Sequence, residues 1–302
     1  MWQALLRNWL IGQAQQKMRD AAMQAAAGDT GQAHAAPQSG AAQEPDPPQQ
    51  SRDVCHVGIV FALGIEAGGL VDRLRGVIRT EGYGFTAREG GLDGRRLVIV
   101  ESGAGREHAA KAAQALITGH EPRWVISAGF AGGLDERLAQ GDILLPNQLV
   151  DTGGHQLDID FRLDDEATKA QPHLHVGRLL TADRVIHDPG EKQQLGKKFG
   201  ALAVDMETLA VAEVCRQARA RFLAVRIISD AVGHELPKDI DHLVKQRTMA
   251  GRLGAAAGAI VRRPSSVKDM WQLKEDALIA SERLAGFLVG IIGQLPKSPP
   301  AT

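Results

Sequence analysis

Six segments between residues 54 and 230 have the composition of buried β-strands, and this repetition limits the folds that the chain can adopt. All six are rich in Val, Ile and Leu: VCHVGIVFAL (54–63), RRLVIVESG (95–103), RWVISAGFAGG (123–133), GDILLPNQLV (141–150), VGRLLTADRVI (176–186) and FLAVRIISD (222–230). Apolar runs of this length are typical of strands that are covered on both faces. Helix-like segments at 65–74, 106–118 and 207–218 lie between them. The order predicts an α/β fold, a three-layer sandwich around a central mixed sheet.

Two further regions have recognisable patterns. Residues 77–101 predict a hairpin with glycine-containing turns at Gly90–Gly91 and Asp93–Gly94. After Leu243 the pattern predicts only helices, at 243–262 and 267–294, with a break at Pro264. The last helix carries an apolar stripe that predicts packing against the domain, with a membrane-facing role as the alternative: Trp271, Leu273, Leu278, Ile279, Leu284, Phe287, Leu288, Ile291 and Ile292.

The N-terminal region differs from the rest of the chain. Apolar residues recur at helical spacing up to Met23, and the early charges are basic, which predicts either a tail helix or an amphipathic helix that touches a membrane or a partner. Residues 24–53 contain no large apolar side chain and are rich in Ala, Gln, Pro and Gly, which predicts a disordered linker. We therefore expect three parts: residues 1–53, a domain at 54–263, and a helical extension at 264–302.

Charge and cysteine content exclude several classes of protein. The chain has 35 basic and 36 acidic residues, so it lacks the basic surface that a general nucleic-acid-binding protein needs. Its two cysteines, Cys55 and Cys215, form no metal-binding or disulfide pattern, which favours a reducing, cytoplasmic setting. No apolar run is long enough to span a membrane. The histidine spacings lack the pattern of a metal site, so we expect no metal and no cofactor.

Carboxylates follow several of the predicted strands. Glu66 lies just after the first strand, Asp205 and Glu207 begin a helix, and Asp230 ends the strand AVRIISD. Ligand sites in α/β folds lie at the carboxyl ends of strands, and burial raises the pKa of a carboxyl group, so such a residue can act as an acid. A single acid at such a position also fits a helix cap or an ion-pair partner. Several of them together favour an active site.

Five motifs lie between residues 54 and 243: VGIVFALGIEA (57–67), SGAGREHAA (102–110), WVISAGFAGGLDERLAQGDILLP (124–146), AVDMETLAVAEVC (203–215) and AVRIISD (224–230). In sequence and order they resemble those of the purine nucleoside phosphorylase and nucleosidase superfamily, and most strongly those of methylthioadenosine/S-adenosylhomocysteine nucleosidases. The resemblance implies the phosphorylase/hydrolase-like form of the sandwich and cleavage of the N-glycosidic bond of a purine nucleoside.

The resemblance implies a role for each matching residue. Asp230 would donate a proton to purine N7, Glu207 would hold the ribose hydroxyls, Met206 would pack under the sugar, and Glu66 would activate the attacking water. An acid at the leaving group and a carboxylate near the nucleophile also suit glycoside cleavage in general. Six more residues complete the implied site: Ser102 and Arg226 near the water, Gly103 and Gly132 in glycine-containing segments, and Phe130 and Val185 near the base.

Some features leave the substrate and the nucleophile open. Val185 stands where the family usually has an aromatic residue that stacks on adenine, and Phe130 is a candidate replacement. A carboxylate at Glu66 would repel phosphate and favours hydrolysis, whereas Arg106 and Arg226 leave phosphorolysis open. The C-terminal region resembles hopanoid-associated nucleoside phosphorylases, which act on a lipid-linked adenosine. A non-catalytic nucleoside-binding protein is a further alternative, and the resemblance implies a homodimer.

Overall fold

The computed structural model describes residues 3–4, 7–13, 15–16, 54–82, 84–160, 171–237, 240–241 and 265–296, with side chains in the last range described from residue 274. The predicted linker at 24–53 and the predicted helix at 243–262 lie outside these ranges. From residue 54 onward, the described residues form ten strands and five helices. The strands are β1 (Cys55–Phe61), β2 (Arg75–Gly82), β3 (Phe85–Leu92), β4 (Arg95–Glu101), β5 (Trp124–Gly133), β6 (Ile143–Asp151), β7 (Gln156–Asp158), β8 (Leu174–Thr181), β9 (Ala203–Asp205) and β10 (Arg221–Asp230). The helices are α1 (Gly64–Val71), α2 (Arg106–His120), α3 (Pro189–Phe199), α4 (Thr208–Gln217) and α5 (Ser265–Gln294).

The predicted α/β fold with a central mixed sheet is confirmed. Strands β4, β1, β5 and β10 are parallel neighbours, while β2, β3 and β4 form an antiparallel meander at one edge. On the other side, β10 pairs with β6, β6 with β8, β8 with β9, and β9 with the end of β5. Strands β5, β10, β6, β8 and β9 therefore close into a ring, which brings the ends of β5, β9 and β10 together.

The hairpin prediction was right in one of its two turns, at Asp93–Gly94, and wrong in the other. Gly90 and Gly91 lie inside β3, and Gly84 precedes that strand with a φ of 84°. Gly90 is required in the strand because a Cβ there would lie 3.0 Å from the Cβ of Leu74 and 3.1 Å from the carbonyl oxygen of Arg75. Close approach of the segment at Leu74–Arg75, rather than a change of chain direction, explains Gly90.

The segment SAGFAGG also differs from the prediction of a strand followed by a glycine turn. Strand β5 continues through Gly129, Gly132 and Gly133. A Cβ at Gly129 would lie 2.8 Å from Oε1 of Glu66, and one at Gly132 would lie 3.2 Å from Oδ2 of Asp230. These glycines let the backbone of β5 approach two of the candidate catalytic carboxylates.

The long C-terminal helix packs against the domain as predicted, although two residues of its predicted stripe do not. Leu284, Leu288, Ile291 and Ile292 are buried, whereas Leu278 and Ile279 are exposed. Helix α5 approaches α1 closely: the Gly69 N–H donates to Ser281 Oγ at 3.1 Å, and that hydroxyl donates to the Glu66 carbonyl oxygen at 3.3 Å. The helix therefore holds α1, which carries Glu66.

The described part of the N-terminal segment is helical at residues 7–13 and packs on α5. Leu10 is buried, and the Trp9 ring meets the Phe287 ring edge-on at 6.0 Å. Gly290 leaves the space for this contact, because a Cβ there would overlap the Trp9 indole. Within the described ranges, no helix combines the length and the apolar character that crossing a bilayer requires.

Candidate active site

A cavity of about 250 Å³ opens at the carboxyl end of β1, β5 and β10. The structure places Glu66, Glu207 and Asp230 in its wall, although 164 residues of sequence separate the first from the last. Four other predicted site residues line the same cavity: Phe130, Gly132, Val185 and Met206. The three predicted residues Ser102, Gly103 and Arg226 do not line it.

Glu66 is held rigidly in the first turn of α1. Its Oε2 accepts the Leu63 N–H at 2.7 Å, and its Oε1 accepts the Phe130 N–H at 2.9 Å. The carboxyl is almost fully buried, and this burial raises its pKa, while the two backbone donors and the charge of Arg226 act in the opposite direction. A buried carboxyl with a raised pKa and a fixed orientation is suited to accepting a proton.

Glu207 precedes α4 and is half-buried in the cavity wall. Its Oε1 accepts the Gly105 N–H at 2.7 Å, so a glycine turn between β4 and α2 holds it. Burial, the nearby charge of Asp205 and that of Glu66 raise the pKa of Glu207 to about 8. Three acids close together therefore share this cavity region, which is an arrangement typical of active sites.

Arg226 neutralises part of this acidic cluster from behind. Its guanidinium donates to Asp205 Oδ2 at 2.9 Å and 3.1 Å, to Ser127 Oγ at 2.8 Å and to Thr208 Oγ1 at 2.7 Å. Both partners of the ion pair are buried. The side chain of Asp205 thus points towards Arg226, and Arg226 is engaged in holding Asp205 rather than facing the cavity.

Ser102 and Gly103 form the turn after β4, behind the cavity. The Ser102 hydroxyl is buried and donates to backbone carbonyl oxygens, with the shorter contact, 2.7 Å, to Gly103. Gly103 adopts a φ of 81°, which favours glycine, and its N–H donates to the Ala62 carbonyl oxygen at 2.9 Å. These contacts join the turn to the end of β1.

Asp230 ends β10 and has two side-chain partners. Its Oδ1 accepts the Ser229 hydroxyl at 2.6 Å, and its Oδ2 accepts Nζ of Lys192 at 2.6 Å. A shift of strand register between Ile228 and Asp230 indicates a bulge next to the site, and such bulges commonly redirect a side chain. Sequence reasoning missed Lys192, whose only signal is its spacing of three and seven residues from Leu195 and Phe199 on α3.

The far wall of the cavity comes from segments that the sequence did not associate with the site. Leu236 and Ile240 follow β10, and Asp276, Ala277 and Ala280 belong to α5. No local pattern predicts these residues, because only the packing of α5 on α1 brings them to the cavity.

The histidines of HLH (173–175) lie away from this cavity, with His173 exposed in the turn before β8. His175 is within β8, between β6 and β9. His173 Nδ1 and His175 Nε2 lie 2.8 Å and 2.9 Å from the two oxygens of the buried Asp142. Among the residues that the structure describes, no group of three His, Cys, Asp or Glu side chains is arranged to hold a metal ion.

The raised pKa of Glu207 leads to a prediction about stability. Because its folded-state pKa of about 8 is above the ordinary value of 4.5, its contribution to stability is present below pH 4.5 and is lost as pH rises through 8. Glu207→Gln removes this loss, so the variant should melt a few degrees above the wild type at pH 9, corresponding to about 1–2 kcal/mol. At pH 4.5 the two proteins should have similar melting temperatures.

Thermal unfolding followed by circular dichroism at both pH values tests this prediction. Glu136→Gln is the matched control, because Glu136 is an exposed acid outside the cavity. If Glu207→Gln and the wild type had the same melting temperature at pH 9, the ionised Glu207 would not lower the stability of the folded protein, and the prediction would be wrong.

Comparison with known proteins identifies the family and supports the fold. Residues 56–262 match the model of the family described as the phosphorylase superfamily. A 5'-methylthioadenosine/S-adenosylhomocysteine nucleosidase of Marinomonas sp. (strain MWYL1) is 32% identical in an alignment of 181 residues that covers 52% of this chain and 77% of the relative. The nucleosidase of the same description from Shewanella loihica is 29% identical in an alignment of 212 residues that covers 63% of this chain and 92% of that protein.

Solved structures give the same fold at lower identity. An S-adenosylhomocysteine nucleosidase from Streptococcus pyogenes superposes with a TM-score of 0.60 at 20% identity, covering 80% of this chain and 98% of that one. A 5'-methylthioadenosine/S-adenosylhomocysteine nucleosidase from Neisseria meningitidis gives 0.60 at 22% identity, with 80% and 100% covered. These likenesses show the fold, and the match of the family model over residues 56–262 shows that the chain belongs to the phosphorylase superfamily.

Proposed function

We propose that the chain hydrolyses the N-glycosidic bond of adenine nucleosides that carry a 5′ thioether, such as 5′-methylthioadenosine and S-adenosylhomocysteine. The observation that carries the proposal is the meeting of Glu66, Glu207 and Asp230 in one cavity. The names of the most similar relatives support the substrate class.

The reaction assigns one task to each acid. Asp230 protonates N7 of the base while the bond from C1′ to N9 breaks, and Glu66 takes a proton from the water that attacks C1′. Glu207 accepts hydrogen bonds from the ribose hydroxyls, and Met206 packs against the sugar. The charge that develops on the ribose resembles an oxocarbenium ion, which nearby carboxylates stabilise. Phe130 and Val185 contact the base in this arrangement.

The placement of the two candidate arginines supports water over phosphate. Arg226 is buried against Asp205, and Arg106 lies 3.2 Å from Asp151 and 2.7 Å from Asp183. A phosphate dianion needs cationic donors that face it. In this cavity it would meet the acidic side chains of Glu66 and Glu207, while Arg184, which also lines the cavity, is paired with Glu191.

Product analysis tests both the substrate and the nucleophile. The protein is incubated with methylthioadenosine, adenosylhomocysteine, adenosine or inosine, with and without phosphate. We expect adenine and a free 5-thio-substituted ribose from the first two, at rates that do not depend on phosphate. A ribose 1-phosphate product would establish phosphorolysis, and cleavage of a lipid-bearing adenosine alone would establish the lipid-linked substrate. Binding of these nucleosides without release of base would indicate a binding protein.

The setting and assembly of the protein are also proposals. The buried free thiols of Cys55 and Cys215 fit a cytoplasmic enzyme.

We propose a homodimer because of the resemblance to nucleosidases. Light scattering measures the oligomeric state directly. A peripheral membrane contact through the terminal helices would use the exposed Leu278 and Ile279 of α5, since Leu10 is already buried. Co-sedimentation with vesicles of anionic phospholipid tests that contact.

A further inference from the structure

A fully buried lysine lies directly behind the proposed acid. Lys192 projects from α3, and its Nζ donates to Asp230 Oδ2 at 2.6 Å and to the His234 carbonyl oxygen at 2.6 Å, with the Ala231 carbonyl oxygen at 3.4 Å. An ammonium group is costly to bury unless acceptors surround it. Here three acceptors match its three N–H groups, which is the arrangement that suits a charged lysine.

This ion pair raises a question about the proton that Asp230 must deliver. A carboxylate that faces an ammonium at 2.6 Å and a serine hydroxyl at 2.6 Å has both oxygens occupied as acceptors. Neither contact needs a proton on the carboxyl. The two donors are the Ser229 hydroxyl, which is a very weak acid, and Nζ of Lys192, so the ammonium is the acid that points at Asp230.

We propose that Lys192 supplies, through Asp230, the proton that purine N7 receives; this proposal rests on the proposed function. As the bond from C1′ to N9 breaks, its electron pair passes to the base. Asp230 gives a proton to N7, and Nζ of Lys192 gives one to Asp230. The oxygen of water bonds to C1′, and its proton goes to Glu66. Lys192 is then neutral and Glu66 protonated, and exchange with solvent after product release restores both.

The strength of the acid is suited to the leaving group. A departing adenine anion is a base comparable to an amine, so transfer from an alkylammonium is close to balanced in energy, as efficient general acid catalysis requires. The fixed contact also keeps Asp230 oriented, so Lys192 is at once a positioning residue and a proton source.

The other charged groups near this pair have partners of their own or face it only across the cavity. On α3 and the segment before it, Asp188 accepts the Glu191 N–H, and Glu191 pairs with Arg184. The segment after β10 contributes its backbone at His234, with Glu235 exposed. The acids of the cavity and its rear wall are Glu66 on α1, Asp205 and Glu207 before α4, and Asp276 on α5.

The decisive experiment changes the leaving group. Lys192→Met is compared with the wild type on methylthioadenosine and on 4-nitrophenyl β-D-ribofuranoside, whose phenolate departs without a proton. At pH 8.5 we expect kcat for methylthioadenosine to fall by about 10²-fold or more, and kcat for the nitrophenyl riboside to change little. The loss should be smaller at pH 6, where a lone carboxyl more readily takes its proton from solvent.

Two further variants separate proton supply from other roles. Lys192→Gln keeps an N–H donor for Asp230 but has no proton to release, so it should show the same selective loss. Lys197→Met removes an exposed lysine from the same helix and should behave as the wild type. Equal losses on both substrates, or a Lys192→Gln that turns over methylthioadenosine normally at pH 8.5, would overturn the proposal.

Two measurements keep the test informative if a variant fails to fold or if the proposed function is wrong. In the wild type, the ratio of kcat for methylthioadenosine to kcat for the nitrophenyl riboside should not fall as the pH is raised to 8.5. A collapse of this ratio at pH 8.5 would also refute Lys192 as the proton source. An Asp230→Asn variant with undiminished turnover, or a wild type that releases no adenine, would refute the proposed function itself. A loss in Asp230→Asn without one in Lys192→Met would refute only the role of Lys192.

Discussion

Asp230→Asn should lower kcat for methylthioadenosine by about 10²–10⁴-fold, the usual contribution of a positioned general acid. Asparagine has nearly the same shape as aspartate, and its oxygen can still accept a hydrogen bond from Lys192 or Ser229. It has no proton to give to N7. The loss should therefore appear in kcat more than in KM, because the interaction with N7 forms as the bond breaks. Steady-state kinetics of adenine release measure both constants.

Stability must be checked in the same variant. Removal of the carboxylate leaves the ammonium of Lys192 buried without a counter-ion, which costs about 3–5 kcal/mol in comparable buried pairs. Assays should therefore be run below the melting temperature, which circular dichroism provides. Asp158→Asn, at an exposed acid on β7, is the matched control. An Asp230→Asn variant as active as the wild type would remove Asp230 from the mechanism.

Glu66→Gln should also reduce kcat by about 10²–10⁴-fold, because the attacking water then loses its base. This change should lower stability as well. Glu66 accepts two backbone N–H groups, one on each oxygen, and the amide nitrogen of glutamine would face one of these donors. An unsatisfied buried donor costs about 1–3 kcal/mol. Kinetics together with thermal unfolding separate the catalytic loss from the structural one.

A nucleophile that needs no base distinguishes these two effects of Glu66. In Glu66→Ala, the space left by the side chain admits azide, which attacks C1′ without losing a proton. We expect azide to restore adenine release in Glu66→Ala and to yield a ribosyl azide, while leaving the Glu136→Gln control unchanged. Absence of both the kinetic loss and the rescue would show that water is activated elsewhere.

Local sequence patterns were sufficient to predict most of the strands and the class of fold. Runs such as VCHVGIVFAL and AVRIISD are apolar enough to identify a strand without knowledge of its neighbours. The same patterns located Glu66 and Asp230 at strand ends, where ligand sites of α/β folds occur, and Glu207 at the start of a helix. The short strands β7 and β9 and the polar helix α3 were missed, because three residues or a mostly charged face carry little periodic signal.

Three glycines show how a strand can be predicted correctly while the role of a glycine within it is predicted wrongly. Gly90, Gly129 and Gly132 predict turns when they are considered alone, since glycine is common there. The structure uses all three inside strands, where a Cβ would meet Leu74, Glu66 or Asp230. The neighbour that makes each glycine necessary is at least 16 residues away in sequence, so no local pattern could identify it.

The sequence by itself determined which segments become strands and which acids stand at their ends, because apolar periodicity and strand termini are local properties. Only the tertiary structure decided which of these acids share a cavity, that Arg226 faces Asp205, that Lys192 is buried against Asp230, and that α5 closes the far wall. Those outcomes depend on closure of β5, β10, β6, β8 and β9 into a ring and on the packing of α5 against α1. Ring closure and helix packing both depend on many contacts between residues that are far apart in the chain, which no local sequence pattern specifies.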